Sequence, residues 1–119
     1  AGSRVALADP RVAPYGLAAT SAMERLKLDT ATFQPLLVVN VSQVATLFRT
    51  GNADFAFVAA SLLDELDAPF ELDLTGKHPA IRQDAALLTT NEGVDIFWDY
   101  LDSDVVRDLI EESGLLPPE

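Results

Sequence analysis

The 119 residues suffice for a single domain, and 49% hydrophobic residues supply a packed core, which excludes disorder as the general reading. A net charge of −11 argues against nucleic acid or an anionic membrane surface as a partner. Without cysteine there are no disulfides, thiol catalysis or cysteine metal sites; no apolar run is long enough to span a membrane, and the first four residues lack a signal-peptide core.

Val5 to Ala8 form a short apolar run broken at Asp9-Pro10, the mark of a buried strand. Pro14 stands where a helix begins, because its missing N–H is one that a first turn leaves unpaired. Ala13, the N-cap position, has no side-chain oxygen, so Tyr15, Gly16 and Leu17 are expected to present free backbone N–H groups. An uncapped helix start at the carboxyl end of a strand is where an α/β protein holds an anion. The helix is predicted over about 16–27, with Ala19, Ala22, Met23 and Leu26 as its apolar stripe.

Residues 28–35 read as a connection and 36–39 as a second parallel strand, buried on both faces. Asn40 follows as an N-cap, with Gln43 in the capping-box position. Val41, Val44, Ala45 and Phe48 then mark a helix ending before Gly51. Asn40 and Gln43 occupy some first-turn donors there and leave the Val41 N–H available. Two strand ends thus feed two helix starts, with Pro14 and Gly16 supporting the first and Asn40 and Ser42 the second.

Residues 55–59 are a third apolar run, after which Ser61, with Asp64 three positions on, is expected to cap a helix over 62–66. Three strand–helix repeats predict a three-layer α/β/α fold with a mostly parallel sheet. Alternation over 70–74 predicts an edge strand, 75–79 a turn and 81–88 a further strand, for four to five strands in all. Asn91 and Ser103 cap two closing helices. The first carries Val94, Phe97, Trp98 and Leu101 on one face, the second Val105, Val106, Leu109 and Ile110, with Gly114 as its stop. The organisation expected is an α/β domain over 1–89 followed by a helical segment over 90–119.

Catalytic chemistry finds little footing. His78 is alone in a turn, the carboxylates are scattered over solvated faces, and Ser42 and Ser61 are explained by helix starts. No glycine-rich phosphate loop is present. The chain reads as a non-enzyme without catalytic residues, metal site or cofactor.

The series of motifs resembles a known family. Ala6-Leu-Ala-Asp-Pro10 with Val12-Ala-Pro-Tyr-Gly16, Asn40-Val-Ser-Gln43, Gly51-Asn-Ala-Asp54 before Phe57-Val-Ala59, and the stretch from His78 to Asp84 are similar to the molybdate-binding proteins of ABC transporters. So is the ending from Phe97 through Ile110 to Gly114. The resemblance implies a type-II periplasmic binding protein that takes molybdate or tungstate between two lobes, using neutral hydrogen bonds. It implies oxyanion contacts at Tyr15 and Val41, with Tyr15 also the hydroxyl donor, since Ala59 stands where some members have a second tyrosine. It covers only that family's C-terminal half, so about half of the anion's hydrogen-bond shell is expected, with weak or lost binding. It further implies a periplasmic location, and an ABC permease as partner for a full-length form. An unpaired edge at 81–88 and the Phe97/Trp98/Val106/Leu109 faces are expected to drive a homo-oligomer, a dimer through that edge or through the C-terminal helices. The alternative is a structural or interaction module that keeps the fold and self-associates without transport.

Overall fold

A computed structural model describes residues 2–117. It comprises two compact units, one ending at Ile81 and the other beginning at Arg82; the division expected from the sequence lies at 89/90.

The first unit is built on a three-stranded parallel sheet in the order β2-β1-β3, with β1 Ser3–Ala8, β2 Phe33–Val38 and β3 Phe55–Ala56. The central strand pairs with β2 along its whole length, from Ser3 opposite Phe33 to Ala8 opposite Val38. Alternation then sorts its side chains onto two faces. Leu7 packs with Ala19 and Met23 of α1 (Pro14–Arg25), while Ala6 and Ala8 pack with Val44 of α2 (Val41–Arg49). Helices on both faces of a parallel sheet make the α/β/α layering. The small residues of β1 and α1 let these layers lie close, and Val44 and Ala6 are fully buried.

The sheet has three strands rather than four to five. Among the described residues, neither 70–74 nor 81–88 pairs with a strand. Alternating apolarity makes a segment fit a pleated surface, but a strand forms only against a partner with free backbone groups. At 70–74 a local competitor also acts: the Asp73 carboxylate accepts the Thr75 N–H at 2.8 Å and its hydroxyl at 2.7 Å, which turns the chain.

Three local readings are corrected. β2 lies at the sheet edge rather than buried on both faces, so Leu37 remains 50% exposed. Ser61 caps nothing, because it sits inside a 3₁₀ turn, Ala60–Leu62, that precedes the single turn α3 (Leu63–Leu66). An N-cap needs extended backbone, and here Ala59 supplies it. β3 is only two residues long, although the Phe57 N–H still bonds the Ala6 carbonyl at 3.0 Å.

In the second unit, α4 (Glu92–Tyr100) and α5 (Asp104–Glu112) start as expected. Asn91 accepts from the Val94 N–H at 3.0 Å and Ser103 from the Val106 N–H at 3.4 Å. Gly114, at φ +79°, closes α5 as the Leu115 N–H bonds the Ile110 carbonyl. Neither helix buries a residue: Phe97 and Leu109 are exposed, and Trp98 and Val106 are partly buried. No helix among the described residues is long and apolar enough to cross a membrane.

Candidate functional site

Every site residue picked out in the sequence lies in the first unit, at the end of the sheet where β1 and β2 finish. Between Asp9 and Leu17 nearly every backbone donor is committed. The Asp9 N–H donates to the Val38 carbonyl at 2.7 Å, linking the ends of the two strands. The Arg11 N–H bonds the Asp9 carboxylate at 2.9 Å, and the Val12 and Ala13 N–H groups bond the Asp9 carbonyl at 3.1 and 2.9 Å. Pro10 and Pro14 carry no N–H. The Gly16 and Leu17 N–H groups converge on the Ala13 carbonyl at 3.1 and 3.2 Å.

The expectation of three free amides at this helix start is therefore reduced to one. Ala13 is the N-cap and offers no side-chain bond, as expected, but its carbonyl takes the Gly16 and Leu17 donors. Only the Tyr15 N–H is left without a protein acceptor among the described residues. The Tyr15 side chain is partly buried. Gly16 is buried and serves as a spacer: a Cβ there would lie 2.1 Å from the Ala8 carbonyl oxygen. Only glycine lets the first turn of α1 rest directly on the end of β1.

The second start is capped as the sequence indicated. The Asn40 side chain accepts the Gln43 N–H at 3.0 Å. Gln43 reaches back to the Val39 N–H at 3.1 Å, one residue before the N-cap. The Asn40 carbonyl takes the Val44 N–H at 3.3 Å. The Val41 and Ser42 N–H groups keep no protein acceptor among the described residues, and Ser42 is exposed. Ala8 and Val38, the last residues of β1 and β2, stand opposite one another, so the Tyr15 and Val41 donors follow adjacent strand ends. Each sits at the positive end of a helix dipole.

The loop between β1 and α1 carries an ion pair, Asp9 with Arg11. Hydrogen bonds from the Arg11 guanidinium, then from its N–H, hold the Asp9 carboxyl at about 2, below its usual 3.8. The Nη2–Oδ2 contact is 2.6 Å, with Arg11 largely in solvent. In the sequence Asp9 marks the end of the first strand and belongs to the Ala6–Pro10 motif, and nothing there pairs it with Arg11. An Asp two residues before a donor is a turn signal, and that was the clue to this pair.

The remaining candidates do not gather here. His78 stays in its turn, with Nδ1 2.8 Å from the Pro79 carbonyl oxygen. Among the described residues no three acidic or histidine side chains converge as a metal site would require.

Residues 1–116 match the family described as bacterial extracellular solute-binding protein. The chain is similar to the molybdate-binding protein ModA of Azotobacter vinelandii, with 31% identity over 118 aligned positions, covering 92% of this chain and 47% of the relative. It is 33% identical over 116 positions to the molybdate-binding protein ModA of Rhodobacter capsulatus, covering 92% and 46% respectively. The chain spans about half the length of the curated relatives it matches.

Proposed function

We infer function from membership: the chain belongs to the family of bacterial extracellular solute-binding proteins. We propose that its α/β unit is one side of a binding site for a tetrahedral oxyanion, molybdate or tungstate. The observation that carries this reading is the pair of uncommitted amides, Tyr15 and Val41, at the ends of adjacent parallel strands. The names of the two relatives, both molybdate-binding proteins, supply the ligand class.

The chemistry is recognition without reaction. A dianion is held by neutral N–H donors that the sheet and helix starts fix in advance, so little reorganisation is needed on binding. No proton moves and no bond breaks, and no residue is assigned a catalytic role. Two amides, with the Tyr15 hydroxyl, are fewer donors than four anionic oxygens require once their water is lost. This unit alone therefore binds weakly, and a second surface completes the shell in a two-lobed protein. The family description supports an extracytoplasmic location, and an ABC permease is the partner proposed for such a full-length form.

Isothermal titration with molybdate, tungstate and sulfate tests the proposal. Heat with molybdate or tungstate at millimolar concentration is expected; none with any of the three removes ligand binding as a property of this chain.

A second reading, a module that self-associates without transport, is favoured by one observation. The helices α4 and α5 expose Ile96, Phe97, Val105 and Leu109. On this reading the chain is a dimer joined through these helices or through the unpaired 81–88 segment. Sedimentation at tens of micromolar decides it: a dimer supports it, and a monodisperse monomer refutes it.

A further inference from the structure

We propose that Asp9 is the positioning residue of the Tyr15 donor, an inference that rests on the oxyanion reading above. Asp9 is the hub of the β1–α1 loop. Its N–H is fixed to the Val38 carbonyl, its carbonyl holds the Val12 and Ala13 N–H groups, and its carboxylate holds the Arg11 N–H and guanidinium. These bonds close a turn in which three consecutive amides point back at one residue. Between Asp9 and Leu17 the N–H left without a protein acceptor among the described residues is then that of Tyr15. Without the carboxylate, the Arg11 N–H and guanidinium are released, and the turn loses the bond that starts it. The Asp9 side chain is only 16% exposed, so the acceptor itself is held largely out of water.

Two roles for Asp9 predict opposite signs. If it acts only as a negative charge near an anion site, its removal strengthens binding. If it positions the loop, its removal weakens binding, even though a repulsive charge has gone and two competing donors have been freed.

The experiment compares Asp9→Ala, Asp9→Asn and Arg11→Ala with the wild type, by NMR-detected amide exchange and by molybdate titration. Asparagine keeps the oxygen that accepts the Arg11 N–H, and Arg11→Ala keeps that bond while losing the guanidinium. Exchange at Val12 and Ala13 is expected to quicken by about tenfold or more in Asp9→Ala, while β1 amides stay protected. Asp9→Asn and Arg11→Ala should hold within about threefold of the wild type. Affinity for molybdate should fall in Asp9→Ala and be restored by Asp9→Asn. Unchanged exchange at Val12 and Ala13 in Asp9→Ala, or tighter molybdate binding by it, overturns the proposal. If the wild type binds no molybdate, the oxyanion reading fails, and the exchange comparison still decides whether Asp9 orders the loop. If Asp9→Ala does not fold, loop exchange in Arg11→Ala decides it: wild-type protection supports the carboxylate–amide bond, and its loss overturns it.

Discussion

Arg4 and Asp54 grip one another from positions fifty residues apart. The Arg4 N–H donates to Asp54 Oδ2 at 2.8 Å, Arg4 Nη2 lies 2.9 Å from Oδ1, and the Asp54 N–H returns a bond to the Arg4 carbonyl at 2.9 Å. Arg4 Nη2 also reaches the Gly51 carbonyl at 3.2 Å. The clasp ties the start of β1 to the entry of β3, at the end of the sheet opposite the Tyr15 and Val41 amides. It sets the register in which β3, only two residues long, joins the central strand.

The clasp carries a pH signature. Hydrogen bonds from Arg4 hold the Asp54 carboxyl at about 2, below its usual 3.8. A group depressed in this way adds stability above its ordinary value and gives it up as the pH falls through the folded one. Asp54→Asn is expected to melt below the wild type at neutral pH, with the gap closing between about pH 4 and 2. Thermal unfolding followed by circular dichroism reads this directly. A gap that stays constant across that range would show that the charge plays no part.

Gly16→Ala should be costly for so small a change. Its Cβ would meet the Ala8 carbonyl oxygen at 2.1 Å and the Asp9 carbonyl carbon at 2.8 Å, both backbone atoms that cannot step aside cheaply. Overpacking of this kind costs about 1–3 kcal/mol. Urea unfolding should show that loss. Because α1 must lift from β1, the Tyr15 amide resonance should move as well.

Lys27 offers the opposite case. It sits at φ +54° just beyond α1, where the Leu28 N–H bonds the Met23 carbonyl at 3.1 Å and the Lys27 N–H bonds Glu24 at 3.0 Å. A left-handed residue at that position favours glycine. Lys27→Gly is expected to raise stability by about 0.5–1 kcal/mol in urea, part of the steric relief being offset by greater freedom of the unfolded chain.

Asn40→Ala separates capping from ligand binding. It removes the acceptor of the Gln43 N–H and should cost about 1 kcal/mol. The Val41 amide is not an Asn40 partner, so molybdate should still shift the Val41 resonance in this variant.

Charge bears on self-association. Residues 82–119 carry ten acidic and two basic side chains, against nine and six in residues 1–81. Two copies meeting through α4 and α5 would bring like charges together, so a dimer formed there should strengthen with added salt as the repulsion is screened. Sedimentation at low and high ionic strength tests this. A dimer that weakens with salt would place its contacts elsewhere.

The elements legible in the sequence are those whose signals are local. Pro14 marks the start of α1, and Asn40, Asn91 and Ser103 are observed caps of α2, α4 and α5. The motif series that resembled a binding-protein family is matched by the family assignment across residues 1–116. What was misread depends on distant partners or on competition between local bonds. The 70–74 and 81–88 segments have strand-like composition, but pairing is decided by another part of the chain. Ser61 has a capping pattern that a 3₁₀ turn overrides. At the site, an uncapped Ala13 could be read from its side chain, but the convergence of the Gly16 and Leu17 donors on its carbonyl could not. The Arg4–Asp54 clasp, fifty residues across, leaves no local trace at all.

The most direct measurement is an NMR titration of the amide-assigned protein with sodium molybdate, with sodium chloride matched for ionic strength. The expected result is saturable shifts of the Tyr15 and Val41 amides, larger than those of their committed neighbours Gly16 and Val44. Shifts confined to other residues, or none at either amide up to solubility, would contradict the assignment of these two helix starts as an oxyanion site.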